Sequence, residues 1–355
     1  MKTLILSSTG FTGIGWVAEP VTQQALADAL ARVGMEVAIA EVASTADLDP
    51  LLRALPRDTL VWANGYYIRT GAGEETEWLA DILEAEGVPF VGPPAATLRA
   101  VLHKDDCQAR LAAAGIPIPR FAVVRTRDPE VIRDVFQATG LSWPVVVKPT
   151  SAAGSLGIGL AADAESLAAR VGHNLDRHGP RVMIEEYLPG NDITVGVFRR
   201  GPETYLLPTW YEMLDRRPGR GILDRLDRLR PWGGPKQMRI VEDPHVLEQV
   251  GTIIPRAVEE LDVRDVTRID GRLDERGVLR IFDVNGMPAL DVPGAVLLRQ
   301  VMTIRKETDA AAALDRVVST LIASAAERYG LETPAAVAAR SFSHRTADRQ
   351  EPRVA

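Results

Sequence analysis

In the N-terminal third of the chain, short apolar runs alternate with amphipathic stretches, and this alternation restricts the possible folds more than any other feature. Leu4-Ile5-Leu6 reads as a strand, followed by a Gly-containing loop over residues 9–15 and a helical pattern over 21–33 that stops at Gly34. A second strand is expected over 36–42 and a third apolar run over 60–63, then a Gly-rich loop, a helix over 74–86 and the run Val88-Pro89-Phe90-Val91. Strands separated by helices pack as a parallel layer, and the loops beyond the strand ends usually hold ligands. Residues 1–93 therefore read as an open α/β domain.

A helix over 94–114 is expected to end at Gly115-Ile116-Pro117-Ile118-Pro119, where two prolines force an extended connection near a domain boundary. Beyond it come a strand at 121–124, a helix at 131–139, a strand at 144–148, a helix at 164–173 and a strand at 182–187. Residues 94–188 thus form a central α+β block. From 193 the pattern is strand-rich, then helical at 244–261, then a hairpin over 266–284, and a long helix over 308–329 closes residues 189–330. The stretch 216–236, rich in Arg, Asp, Gly and Pro, reads either as a lid or as a disordered connection. Residues 331–355 read as a mobile polar tail. No internal repeat is present.

A chain of 355 residues has room for two or three domains, and 46% apolar with 25% charged residues is the balance of a soluble globular protein. The net charge of -7 argues against a nucleic-acid partner. Cys107 is the single cysteine, which excludes an intramolecular disulfide and a Cys-based zinc cluster. With no signal-peptide pattern and no run long enough for a membrane span, a cytoplasmic protein with no membrane partner is expected. Only five of the 41 basic residues are lysines, so Lys104 and Lys148 stand out.

Val145-Val146-Val147-Lys148-Pro149 runs into a loop of small residues from Thr150 to Ile158 that includes Ser155 and Gly157. Small residues let backbone amides approach phosphate oxygens, and a lysine at the strand end adds a point charge. It is not a Walker loop, and a plain turn is the competing reading. Further on, the strand ending Glu185-Glu186-Tyr187-Leu188 leads through Pro189-Gly190 to Asp192. An extended backbone edge can pair with adenine and a carboxylate beyond it with ribose hydroxyls, whereas the competing reading is a charged edge strand and a turn.

The C-terminal hairpin is more specific. Period-two alternation puts Arg268 and Asp270 on one face of one strand, and Asp283 and Asn285 on one face of the other. With a four-residue loop at 275–278, Asp270 faces Asp283 and Arg268 faces Asn285. Two carboxylates and an amide suit Mg²⁺, with Mn²⁺ as an alternative, and ATP is the natural companion; the competing reading is the solvent face of a hairpin.

These segments, in this order, resemble the D-alanine–D-alanine ligase branch of the ATP-grasp superfamily. Its Val-Lys-Pro-Ser run is similar to Val147-Lys148-Pro149-Thr150, its Glu-x-x-Leu adenine segment to Glu185, Glu186, Tyr187 and Leu188 with Asp192 as the ribose acid, its Arg-Ile-Asp strand to Arg268-Ile269-Asp270, and its Glu-x-Asn strand to Asp283-Val284-Asn285 with Asp in place of Glu. Its phosphate lysine near the first domain boundary resembles Lys104. The resemblance implies three subdomains with the nucleotide between the last two. It also implies an ATP-dependent ligase that joins an amino-acid or small-peptide carboxylate to an amine through an acyl phosphate. In that reading Lys104, Lys148 and the Ser155–Gly157 loop hold phosphates, Asp270, Asp283 and Asn285 hold Mg²⁺, Arg268 stabilises the oxyanion, and Glu19 grips the substrate ammonium. Family precedent implies a homodimer through the N-terminal domain.

Two departures point to substrates other than D-alanine. Ala289-Leu290-Asp291 stands in place of the family's Ser-x-Leu segment, and Trp210-Tyr211-Glu212 in place of its Tyr-rich lid with a lysine. An ATP-grasp small-molecule kinase and a non-catalytic nucleotide-binding regulator are the alternative functions.

Overall fold

The computed structural model describes residues 1–7, 20–71, 75–152, 154–215, 221–223, 227, 230, 232–290 and 294–342. The first unit contains β1 (Lys2–Ser7), α1 (Pro20–Arg32), β2 (Glu36–Glu41), α2 (Thr45–Arg53), β3 (Thr59–Ala63), β4 (Tyr67–Arg69), β5 (Thr76–Trp78), α3 (Leu79–Ala85) and β6 (Phe90–Val91). Four of these strands form a parallel sheet in the order β2-β1-β3-β6. β3 is buried at every position, as a parallel strand covered on both faces must be. The helix expected over 74–86 is shorter: Thr76-Glu77-Trp78 is a strand instead. Thr and Trp favour the extended state, and the Trp78 ring packs 4.6 Å from that of Tyr67 on β4.

The helix expected over 94–114 is two, α4 (Ala95–Leu102) and α5 (Lys104–Ala113), broken at His103 with φ −95° and ψ 107°. The break frees the Lys104 amide, which donates to the Thr150 carbonyl at 2.8 Å and ties α5 to the loop after the Lys148 strand. The second sheet, β7-β10-β8-β9, is antiparallel and comprises β7 (Phe121–Val124), β8 (Val145–Pro149), β9 (Gly159–Ala161) and β10 (Val182–Glu186). α6 (Pro129–Ala138) and α7 (Ala164–Arg177) contribute Ile132, Leu167 and Val171 to its core.

The third sheet is β13-β12-β11-β14-β15, built from β11 (Asp192–Arg200), β12 (Glu203–Met213), β13 (Lys236–Ile240), β14 (Asp265–Leu273) and β15 (Leu279–Asn285). Alternation splits its faces: Val195, Val197 and Ile269 pack on α8 (Pro244–Glu260), while Phe198, Leu207 and Val266 belong to the cluster shared with α9 (Val296–Arg305) and α10 (Ala310–Arg328). α10 is buried along most of its length and reaches the first sheet, so one core joins the first and third sheets. After Leu331, where a polar tail was expected, α11 (Ala335–Arg340) buries Val337, and Phe342 stacks on Phe198 at 5.1 Å. Among the described residues, no helix is long and apolar enough to cross a membrane.

Asp265 ties these units together. Its carboxylate accepts from the Gly92 amide and the Ser324 hydroxyl, both at 2.7 Å, and lies 2.9 Å from Arg328 Nη1. Burial pushes its pKa up, against the pull of Arg328 and of these donors. Asp265 has φ +62°, a backbone state that asparagine tolerates well, so Asp265→Asn removes the charge with little backbone penalty. The variant is expected to lose about 2 kcal/mol of unfolding free energy with an unchanged denaturant slope, as read by urea titration.

Candidate functional site

Between the second and third sheets lies a cleft of about 290 Å³. Four elements supply its polar groups: α5 gives Lys104, the end of β8 gives Lys148, the end of β10 gives Glu185 and Glu186, and the β14–β15 hairpin gives Arg268, Asp270, Asp283 and Asn285. Ser155, Leu188 and Asp192 also line it. Tyr187 and Gly157 do not appear among the lining residues. The Tyr187 ring lies under the Arg272 guanidinium, and its hydroxyl accepts from the Gly221 amide at 3.2 Å. Gly157 has φ +70°, and a Cβ there would stand 2.1 Å from Asn174 Oδ1, so this glycine serves the packing of α7. Glu19 falls outside the described residues.

Across the hairpin, Arg268 pairs with Asn285 and Asp270 with Asp283. The loop is not the expected four residues: residues 274–278 connect the strands, with Asp274 Oδ1 accepting from the Arg276 and Val278 amides. The register shifts between Asp270 and Gly271, where Phe282 is the extra residue, and this bulge restores the pairing at the site. The bulge also turns the Phe282 carbonyl toward Lys148 and Gln108, which donate to it at 3.2 and 2.9 Å.

Each cation in the cleft has an anionic neighbour. Lys148 Nζ donates to Glu185 Oε2 at 2.8 Å, with both side chains almost fully buried, and Gln108 donates to the same oxygen at 2.7 Å. Lys104 Nζ donates to Asp283 Oδ1 at 2.8 Å. Burial raises the pKa of Asp283, but the charges of Lys104, Lys148 and Arg268 outweigh it and hold the carboxyl below its ordinary value. Arg268 grips Asp270 through Nε and Nη2 at 3.0 and 2.9 Å. Burial opposes its charge, yet Asp270 and Tyr211 keep the guanidinium firmly protonated. Asp192 sits 3.6 Å from Arg272, which also donates to the Gly190 and Gly221 carbonyls. Burial pushes the Cys107 thiol up to about 12, so it stays protonated and is a poor nucleophile.

Sequence reading missed Gln108 and Arg272, although each had a signal. Gln108 lies four residues after Lys104 on one helix face, and Arg272 continues the period-two face of Arg268 and Asp270. Thr194, opposite Asp270 on β11, also lines the cleft, and nothing local in the sequence places it there.

Among the described residues, no group of three or more His, Cys, Asp or Glu gathers as a metal cage. The β14–β15 hairpin instead offers the cleft two carboxylates, Asp270 and Asp283, and one amide, Asn285. Magnesium commonly takes one or two carboxylates and completes its shell with water and substrate phosphates, so this donor set fits an ion carried with a nucleotide.

The family model described as "D-ala D-ala ligase C-terminus" matches residues 111–292, which include the second and third sheets. A D-alanine–D-alanine ligase from Mycolicibacterium vanbaalenii is 28% identical over 211 residues, covering 58% of this chain and 56% of the relative, so the match spans little more than half of that protein's length. A D-alanine–D-alanine ligase from Bacillus anthracis superposes with a TM-score of 0.65 at 17% identity, covering 93% of this chain and 99% of that one. Its complex with ATP superposes with a TM-score of 0.64 at 15% identity and covers 93% and 99%. At such identities the structural likeness is one of fold.

Proposed function

Because the chain belongs to the D-alanine–D-alanine ligase family and carries its three-subdomain ATP-grasp fold, we propose that it joins a carboxylate to an amine at the expense of ATP, with substrates other than two D-alanines. The supporting observation is one cleft that gathers Lys104 and Lys148 opposite Asp270, Asp283 and Asn285.

The triphosphate lies along the two lysines. An ammonium has three donors; Lys148 uses two on Glu185 and the Phe282 carbonyl, and Lys104 uses one on Asp283, so each keeps donors for phosphate oxygens. The left-handed residues Gly154 and Ser155, at φ 64° and 60°, let the loop turn its amides toward the same oxygens. The backbone edge from Glu186 to Leu188 receives adenine, Glu185 faces its amino group, and Asp192 receives the ribose. Asn285 directs Nδ2 into the hairpin, which leaves its Oδ1, with Asp270 and Asp283, to hold magnesium. That ion, when bound, offsets charge on the phosphates.

The substrate carboxylate oxygen forms a bond to the terminal phosphorus, and ADP leaves. The amine nitrogen then attacks the acyl carbon, phosphate departs, and the nitrogen loses a proton to give the amide. Arg268 lies where negative charge develops on the acyl oxygen. Glu19 is assigned the substrate ammonium. Tyr211, Met287 and Ala289 line the same cleft as Arg268 and add apolar surface suited to the side chain of an amino acid or small peptide.

The test is a panel of amino acids and dipeptides, singly and in pairs, with Mg-ATP. Phosphate release is expected only with an acyl and an amine partner together, matched one to one by a condensed product in the mass spectrum. Phosphate transfer to a single substrate without an amine would replace this reading with a kinase.

A further inference from the structure

Four directly paired residues cross four neighbouring strands in one row: Thr209 on β12, Thr194 on β11, Asp270 on β14 and Asp283 on β15. Directly opposed residues project from the same face of a sheet, so the row is continuous. Its first two members are polar yet as buried as the apolar core, with Thr194 at 1% exposure and Thr209 at 0%. Thr194 Oγ1 can only donate to a carboxylate, and it does so to Asp270 Oδ1 at 2.5 Å. Thr209 Oγ1 donates to the Thr194 carbonyl at 3.1 Å.

Behind them stands Gln300 on α9, fully buried. Its Nε2 donates to the Thr194 carbonyl, the Leu207 carbonyl and Thr209 Oγ1, each at 3.0 Å. Two of these partners are carbonyls that can only accept, which fixes the amide orientation and leaves Gln300 Oε1 buried without a hydrogen-bond partner. An unpaired buried acceptor is a cost that an apolar residue would avoid. Gly196 makes room for this arrangement, since a Cβ there would meet Gln300 Oε1 at 2.6 Å and Leu297 Cδ1 at 2.7 Å. A polar relay built into the core at such cost needs a reason beyond packing.

We infer that Thr194, held by Thr209 and Gln300, is a positioning residue that fixes the Asp270 carboxylate for a divalent cation bound with the nucleotide. Thr194 and Arg268 Nε donate to Oδ1, and Oδ2 accepts from Arg268 Nη2 at 2.9 Å and, more distantly, from Arg268 Nε at 3.3 Å and Asn285 Nδ2 at 3.5 Å. The carboxylate is thereby held through both oxygens in one orientation where it lines the cleft. Outer hydrogen bonds of this kind orient metal ligands, and their removal commonly weakens metal affinity 10- to 100-fold. The inference rests on the ligase reading above for the identity of the ion's companion.

The test counts bound Mn²⁺ by electron paramagnetic resonance during titration of ADP-saturated protein, with ADP affinity measured separately without metal. Thr194→Val keeps the shape and the strand propensity and removes only the hydroxyl. It is expected to weaken Mn²⁺ binding by about tenfold with metal-free ADP affinity unchanged, while Thr194→Ser stays within about twofold of wild type. Gln300→Leu shifts Mn²⁺ affinity in the same direction by a smaller factor. Should Thr194→Val fail to fold, Thr209→Val carries the expectation, since it removes one of the two side-chain donors to the Thr194 carbonyl and leaves Asp270 untouched. Wild-type Mn²⁺ affinity in Thr194→Val, an equal loss in Thr194→Ser, or an equal loss of metal-free ADP binding overturns the inference alone. If the wild-type protein holds no Mn²⁺ with ADP, the ligase reading falls with it.

Discussion

Replacing Lys148 with methionine is expected to lower the unfolding free energy by roughly 3–5 kcal/mol, the usual consequence of leaving one partner of a buried ion pair behind. The side chains of Lys148 and Glu185 are 3% and 5% exposed and meet at 2.8 Å as diagonal neighbours on the antiparallel strands β8 and β10. Without the ammonium, the Glu185 carboxylate keeps, among the described residues, the neutral Gln108 amide on the same oxygen. One amide cannot offset the desolvation of a carboxylate. The double variant Lys148→Met with Glu185→Met is expected to recover most of the loss, because an apolar pair of similar volume is often as stable as the ion pair it replaces. A double-mutant cycle in urea isolates the coupling. Nucleotide binding separates stability from function: with Lys148 at the triphosphate and Glu185 at the adenine amino group, the double variant regains stability and still binds ATP weakly. A single variant within about 1 kcal/mol of wild type would show that the pair is not the anchor its burial implies.

What the sequence reveals about this fold follows the range of the interactions involved. The alternation that marks the N-terminal domain is local, and the first sheet forms from the runs that carry it. α2 escapes such reading because only Leu48 and Leu52 are buried in it and Pro50 interrupts its middle. The break between α4 and α5 is equally hidden. No glycine or proline stands at His103, and the helix parts there where the Lys104 amide meets Thr150, 46 residues away (150 − 104).

The same division holds in the cleft. Side-chain direction along a strand is a local property, so Arg268, Asp270, Asp283 and Asn285 can be placed on common faces from spacing alone. A regular four-residue hairpin would pair them as the five-residue loop and bulge do, so the spacing predicts the right partners through the wrong connection. Which cation meets which carboxylate depends on how strands distant in sequence pair and on how α5 lies against the β14–β15 hairpin, and spacing within one strand is silent about that. Lys148 with Glu185 and Lys104 with Asp283 arise in this way, as does the contact of Thr194 with Asp270.

Arg268→Lys is expected to reduce turnover by about 10²- to 10³-fold, equivalent to roughly 2.7–4 kcal/mol of transition-state stabilisation, with the KM for ATP changed only a few-fold. The guanidinium engages both Asp270 oxygens through Nε and Nη2 and keeps its remaining N–H groups for the cleft. Lysine carries the same charge on a single tetrahedral nitrogen, so it can face Asp270 or a developing oxyanion but cannot reproduce the planar fork that serves both. An interaction made only as charge builds on the acyl oxygen lowers kcat and kcat/KM together, whereas a misplaced Asp270 raises the metal requirement as well. Turnover is therefore to be measured at several Mg²⁺ concentrations. If excess Mg²⁺ restores Arg268→Lys to near wild-type rates, the arginine acts through Asp270 rather than on the reacting group. A variant within threefold of wild type at every Mg²⁺ concentration would remove Arg268 from the mechanism and leave the oxyanion to another donor in the cleft.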